Sequence, residues 1–207
     1  MKTKIYIDFD STLFNTDEFY GEFLNICEKY NVDSKQVINI KNETFKKACD
    51  FNLDILSKKT SEIHNLKKEF LDEVEKLYSS KYLFDDTISF LESIYLKYEL
   101  VLFTYGNESY QNKKINATRI DKYFKDIIIT ENRKDSLNID YVNSVFIDNN
   151  PNEIIGYYNK GARKLIRLRH KSDFRCKVDT NLEDILEFSN LSDIINSNAI
   201  DKVVNYE

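Results

Sequence analysis

The stretch "DFDST" at Asp8 to Thr12 sets two carboxylates two residues apart, at the point where the apolar run "IYI" gives out. A buried strand that ends there carries both acids to the edge of a sheet, facing solvent or a ligand. Two further apolar runs end in the same way. "ELVLF" runs into Thr104, Tyr105, Gly106 and Asn107, and "SVFI" runs into Asp148, Asn149 and Asn150. Ligands of an open parallel sheet bind beyond the carboxyl ends of its strands. Three strand ends thus offer carboxylates, a hydroxyl and a flexible backbone at one edge. Carboxylates suit a hard cation such as Mg²⁺. A zinc cluster has almost no material, because His64 and His170 are the only histidines and Cys27, Cys49 and Cys176 show no CxxC spacing.

The elements that must hold these residues follow from the hydropathy pattern. Besides "KIYI", "ELVLF" and "SVFI", the runs "DIII" before Thr130 and "KLIRL" ending at Leu168 are short and nearly continuous. Such runs are what strands buried on both faces look like. Helices are expected between them at about Asp86 to Tyr98, Glu108 to Thr118 and Pro151 to Asn159, with a last one near Leu182 to Phe188. Pro151 suits a first helical position, with Asn150 as its cap. The alternation predicts an α/β fold with a doubly wound parallel sheet.

Residues 15–84 separate the first two strands, whereas a simple crossover needs only about a dozen residues. They predict an inserted, all-helical unit, leaving residues 1–14 and 85–207 as the α/β core. Phe19, Phe23, Ile26, Cys27 and Tyr30 mark one amphipathic helix. Ile63, Leu66, Phe70, Val74, Leu77 and Tyr78 mark another, capped at Thr60 or Ser61.

The chain has 207 residues and a net charge of −5, without the basic balance expected of a protein that coats nucleic acid. No apolar run is long enough for a signal-peptide core or a bilayer span, so a soluble cytoplasmic protein is expected. The four glycines, Gly21, Gly106, Gly156 and Gly161, cannot form a GxGxxG fingerprint, a P-loop or a GxSxG elbow. Seven Lys or Arg residues lie between Arg163 and Lys177, and they read as a solvated strand and loop.

Taken in order, these strand ends resemble the four motifs of the haloacid dehalogenase (HAD) superfamily. "DFDST" meets its first motif, DxDx followed by Thr or Val, and "LVLFT" meets its second. A lone Lys forms the third, and "VFIDNNPNE" meets the fourth. The insertion after the first motif is similar to the helical cap of some members. The resemblance implies a Mg²⁺-dependent phosphatase of a small phosphorylated metabolite. Asp8 would be the nucleophile that forms an aspartyl-phosphate, and Asp10 the general acid and base. The family's dehalogenases lack the second Asp, so Asp10 directs the resemblance to phosphoryl transfer. It further implies Mg²⁺ at Asp8, the Asp10 carbonyl and Asp148. Phosphate would be bound by Thr104, the amides of Tyr105 and Gly106, and Lys134, with Lys125 as the alternative third-motif Lys. Motif four often carries a second acid where this chain has Asn149 and Asn152. Glu153 lies one position further, so any of the three could complete the metal shell through water. A phosphomutase or phosphotransferase, and a binding module that kept the fold, are the alternatives. Substrate identity and oligomeric state are not legible.

Overall fold

A computed structural model describes residues 2–205. Six strands, β1 (Lys4–Ile7), β2 (Glu99–Tyr105), β3 (Asp126–Thr130), β4 (Val145–Asp148), β5 (Leu165–Leu168) and β6 (Leu186–Phe188), form one sheet in the order β3-β2-β1-β4-β5-β6. Every pairing is parallel. The interior residues of β2 and all of β4 and β5 are buried, as expected when helices cover both faces. Ile5 and Ile7 face one core with Leu102 and Ile147. Tyr6 faces the other, stacked on Phe146 at 5.0 Å between ring centroids, and Phe146 stacks in turn on Tyr157 at 4.5 Å. The strand order reverses at β1, which lies between β2 and β4. A crevice is therefore expected beyond the carboxyl end of β1.

Between β1 and β2 the chain forms α1 (Thr16–Lys29), α2 (Ser34–Thr44), α3 (Leu53–Ile63), α4 (Lys68–Glu75) and α5 (Thr87–Ile94). It leaves and re-enters the sheet region through two adjacent segments. Phe14 bridges Leu83, the Asn15 amide donates to the Tyr82 carbonyl at 2.7 Å, and the Phe84 amide donates to the Leu13 carbonyl at 3.0 Å. Caps explain the helix starts: Asn15 accepts from the Glu18 amide, and Asp33 with Gln36 makes a capping box. The helix expected to start at a Thr60 or Ser61 cap is not one unit: both residues lie inside α3, which Asn52 caps, and the apolar stripe continues into α4. Asn65 adopts φ 51°, a left-handed conformation that Asn tolerates, and the chain turns there before α4 begins.

α6 (Glu108–Thr118) and α7 (Pro151–Asn159) stand where expected, with Asn107 and Asn150 as caps. The helix expected near Leu182 to Phe188 is instead strand β6, preceded by loop. Leu186 and Phe188 pack on the first core, and a short apolar run at a sheet edge fits either periodicity. Two short helices, α8 (Leu191–Asn196) and α9 (Ala199–Val204), follow it. Among the described residues, no helix is long and apolar enough to cross a membrane.

Candidate active site

The Asp8 amide donates to the Ile147 carbonyl at 2.9 Å, which aligns the ends of β1 and β4 and brings Asp8 beside Asp148. Past Asp8 the chain folds tightly. The amides of Thr12, Leu13 and Phe14 converge on the Phe9 carbonyl, with Ser11 at φ 59°. This turn returns the Thr12 hydroxyl to Asp8 Oδ2, to which it donates at 3.0 Å; Asn149 Oδ1 lies 3.3 Å from the same hydroxyl.

Lys134 links the two acids. Its Nζ lies 2.5 Å from Asp8 Oδ1 and 2.8 Å from Asp148 Oδ2, and it is almost wholly buried. Two tyrosines of the aromatic core hold this arrangement. The Tyr141 hydroxyl donates to the Lys134 carbonyl at 2.8 Å, and the Tyr157 hydroxyl donates to Asp148 Oδ2 at 3.0 Å. The second alternative, Lys125, is exposed at the start of β3.

Asp10 has its own cation. Lys114 of α6, also buried, lies 2.5 Å from Asp10 Oδ1; Thr16 donates to the same oxygen at 2.8 Å, and Gln111 donates to Oδ2 at 2.7 Å. Gln111 crosses directly over Gly106, where a Cβ would come within 2.8 Å of Gln111 Nε2, and Gly106 has φ +146°. Only glycine fits that crossing.

The two carboxyls titrate in opposite senses. Burial pushes Asp8 up to about 7, against the pull of Lys134 and with a further push from Asp148. Burial also pushes Asp10 up, but Lys114, Gln111 and Thr16 together outweigh it and hold Asp10 below its ordinary value. Glu153 is raised by burial and by Asp148, and its Oε2 is buried without a hydrogen-bond partner.

A cavity of about 90 Å³ is lined by Asp8, Asp10, Tyr105, Lys134, Asp148 and Arg175, with Asn149, Asn150 and Glu153 completing its wall. A second cavity, about 110 Å³, lies across Asp10 and Tyr105 and is walled by Ala48 and Phe51 of the insert. Larger concavities of about 630 and 670 Å³ lie near the amino ends of strands, where β5 and β6 begin and where β1 and β3 begin.

The sequence-predicted residues therefore meet in part. Asp8, Asp10, Tyr105, Lys134 and Asp148 share one cavity. Thr104 is buried next to them, its hydroxyl without a partner, but it lines neither cavity. The Gly106 amide does not serve as a phosphate donor here: it donates to the Thr130 carbonyl at 2.9 Å, extending the β2–β3 ladder. Asn149 is occupied by Thr12 and by Asp173, to which its Nδ2 donates at 2.5 Å. Asn152 is exposed on α7, whereas Glu153 reaches the cavity. Sequence reasoning gave no role to Thr12, although it closes the first motif, and missed Thr16, Gln111, Lys114, Tyr157, Asp173 and Arg175. The basic stretch that contains Arg175 was the one signal available for those six.

The oxygen-rich wall fits Mg²⁺. Asp8 and Asp148 share one ammonium and retain free lone pairs, and the unpartnered Glu153 oxygen stands at the same cavity. Among the described residues, no three acid, imidazole or thiolate side chains converge enough to hold an ion unaided. The Asp10 carbonyl and water would have to complete the shell.

Residues 5–160 match the sequence profile of the haloacid dehalogenase-like hydrolases, and the chain belongs to that family. Solved structures agree on the fold. A haloacid dehalogenase-like hydrolase from Burkholderia xenovorans superposes with a TM-score of 0.73 at 12% identity, over 96% of this chain and 98% of that one. A HAD-hydrolase from Bacillus subtilis bound to magnesium gives 0.62 at 13%, over 99% of each chain. An L-2-haloacid dehalogenase from Xanthobacter autotrophicus with chloropropionic acid covalently bound gives 0.62 at 11%, over 95% and 98%. No curated protein matches the chain in sequence.

Proposed function

We propose that the protein is a Mg²⁺-dependent phosphatase that hydrolyses a small phosphorylated metabolite through an aspartyl-phosphate on Asp8. The observation that carries this reading is Asp10, a second carboxylate on the wall of the cavity that Asp8 occupies. A halide departs as a weak base and needs no proton, whereas an alkoxide needs one. A dehalogenase therefore needs no acid for its leaving group, whereas a phosphatase can use Asp10 as that acid and again as the base for water.

In the first step Asp8 attacks phosphorus in line, the bond to the leaving oxygen breaks, and Asp10 protonates that oxygen. In the second, Asp10 takes a proton from water as the water oxygen attacks the same phosphorus, and Asp8 is released. The three donors around Asp10 favour its carboxylate, the form the second step uses. An arriving phosphate dianion raises a nearby carboxyl pKa, which favours the protonated form in the first step. Lys134 offsets charge on Asp8 and on the transferring group. Bound Mg²⁺, held by Asp8, Asp148 and the Asp10 carbonyl, would supply further positive charge that keeps Asp8 ionised. Ala48 and Phe51 bring the helical insert, residues 15–84, to the leaving-group side of Asp10, which supports reading it as a lid over a small substrate. Three free cysteines accord with a cytoplasmic enzyme.

The test is a panel of phosphorylated sugars, nucleotides and cofactors beside 2-haloacids, scored for free phosphate or halide with Mg²⁺ and with chelator. Phosphate release that chelator abolishes is the expected outcome. Halide release without phosphate release refutes the reading.

A further inference from the structure

The cations between Arg163 and Lys177 are not equivalent. Arg167, fully buried in β5, donates to Glu187 Oε1 at 3.1 Å and to the Arg175 carbonyl at 2.8 Å. Arg169 donates to Glu187 Oε2 and to the Cys176 carbonyl, both at 2.6 Å. Both are consumed in fastening the turn Phe174–Lys177 to the sheet. Asp173 caps that turn: its Oδ1 accepts the Arg175 amide at 3.0 Å and Arg175 Nε at 3.0 Å, while its Oδ2 accepts from Asn149. Arg175 itself lines the cavity of Asp8, Lys134 and Asp148. Among the described residues its guanidinium makes no other hydrogen bond, so both terminal nitrogens remain unpaired.

We propose that Arg175 binds the transferring phosphoryl group, from a loop outside the four motifs that the sequence matches. This deepens the phosphatase reading and rests on it. Asp8 and Arg175 line one narrow cleft of about 90 Å³, so an anion that meets Asp8 there also meets Arg175. Lys134 already serves two carboxylates and has little left for three phosphoryl oxygens. A guanidinium held at Nε keeps its two outer nitrogens as a fork that matches two of those oxygens. Its anchor sits close to the nucleophile's own support: Asp173 also accepts from Asn149, whose Oδ1 lies 3.3 Å from the Thr12 hydroxyl that donates to Asp8.

The experiment compares the full chain with Arg175→Met, Arg175→Lys and Asp173→Asn. It measures kcat/KM on an aryl phosphate, inhibition constants for inorganic phosphate and vanadate, the Mg²⁺ titration, and a circular dichroism melt. Arg175→Met should weaken both inhibitors by about tenfold or more and lower kcat/KM by roughly a hundredfold or more, at an unchanged Mg²⁺ midpoint. Arg175→Lys should recover part of the loss, because it restores charge without the fork. Asp173→Asn, which frees the guanidinium from its charged anchor, should shift the same constants less. Should Arg175→Met fail to fold, the other two variants carry the test. Inhibition constants equal to wild type overturn the proposal, as does an effect confined to the Mg²⁺ titration. A wild-type chain that neither cleaves aryl phosphate nor binds inorganic phosphate overturns the phosphatase reading as well, and so is distinguishable from a failure of Arg175 alone.

Discussion

Asp8→Asn should abolish turnover and, without metal, make the protein more stable. Asp8 is 7% exposed, and burial pushes its carboxyl from an ordinary 3.8 up to about 7 despite Lys134. Between those two values the folded state holds a proton that the unfolded state has released. Stability therefore falls as pH rises through that window and stays low above it. A shift of about three units, at 1.36 kcal/mol each, bounds the cost above pH 7 at ~4 kcal/mol. Asn removes the charge at nearly the same volume. Its oxygen can accept from Lys134 where Asp8 Oδ1 now does at 2.5 Å. Its amide can donate to Thr12, whose hydroxyl then donates to Asn149. The attraction to Lys134 is already inside that shift, and the weaker hydrogen bonds of a neutral amide take back part of the gain, leaving about 1–3 kcal/mol, or roughly 2–10 °C in a chain of this size. Urea unfolding in chelator at pH 8 and pH 4.5, beside a phosphate-release assay, measures both effects. The advantage should be present at pH 8 and shrink toward pH 4.5, where wild-type Asp8 is largely protonated in the fold. A variant less stable than wild type at pH 8, or equally favoured at both pH values, refutes the argument. Saturating Mg²⁺ should narrow the gap, because it stabilises only the chain that binds it.

Lys134→Met leaves Asp8 and Asp148 buried together without their shared cation, and should cost about 3–5 kcal/mol in urea unfolding, partly restored by adding Asp148→Asn. Asp10→Asn should lower kcat on alkyl phosphates by about 10²–10⁴-fold and much less on an aryl phosphate, whose oxygen departs unaided; equal losses on both would remove its acid role. Gly106→Ala pushes Gln111 away from Asp10 and strains a backbone at φ +146°, and should lower kcat by about tenfold and the melt by roughly 2–4 °C or more.

The strands of the sheet were legible because parallel strands covered by helices carry nearly continuous apolar runs, and β1 to β5 do so apart from Arg167 in β5. α6 and α7 were legible to the residue because Asn107, Asn150 and Pro151 punctuate them. The failures sit where local signals compete. Asn65 breaks a continuous apolar stripe into α3 and α4 without Gly or Pro to announce it. β6 has only three residues, Leu186–Phe188, and gains its identity from pairing with β5, a long-range fact that no window contains. The same distinction divides the site. Asp8, Thr104 and Asp148 end apolar runs and so declare themselves, whereas Lys114, Gln111 and Arg175 arrive from α6 and from the turn after β5.

What those remote residues do explains why two carboxylates two positions apart can have different work. Asp8 and Asp148 divide one ammonium between them, so burial dominates Asp8 and its carboxyl rises. Asp10 has Lys114 to itself, with Gln111 and Thr16 beside it, so its carboxyl falls although it is also buried. The backbone spacing of "DFDST" cannot produce that contrast, since both acids leave the same strand end. It comes from the allocation of cations: Lys134 from the loop before β4, and Lys114 from the helix after β2. Neighbouring acids whose surroundings drive their titration apart can take distinct roles in one reaction. On this reading the second carboxylate is useful only because α6 supplies it with a private partner. A family member with Asp at both positions but no cation near the second would have to obtain its base from elsewhere.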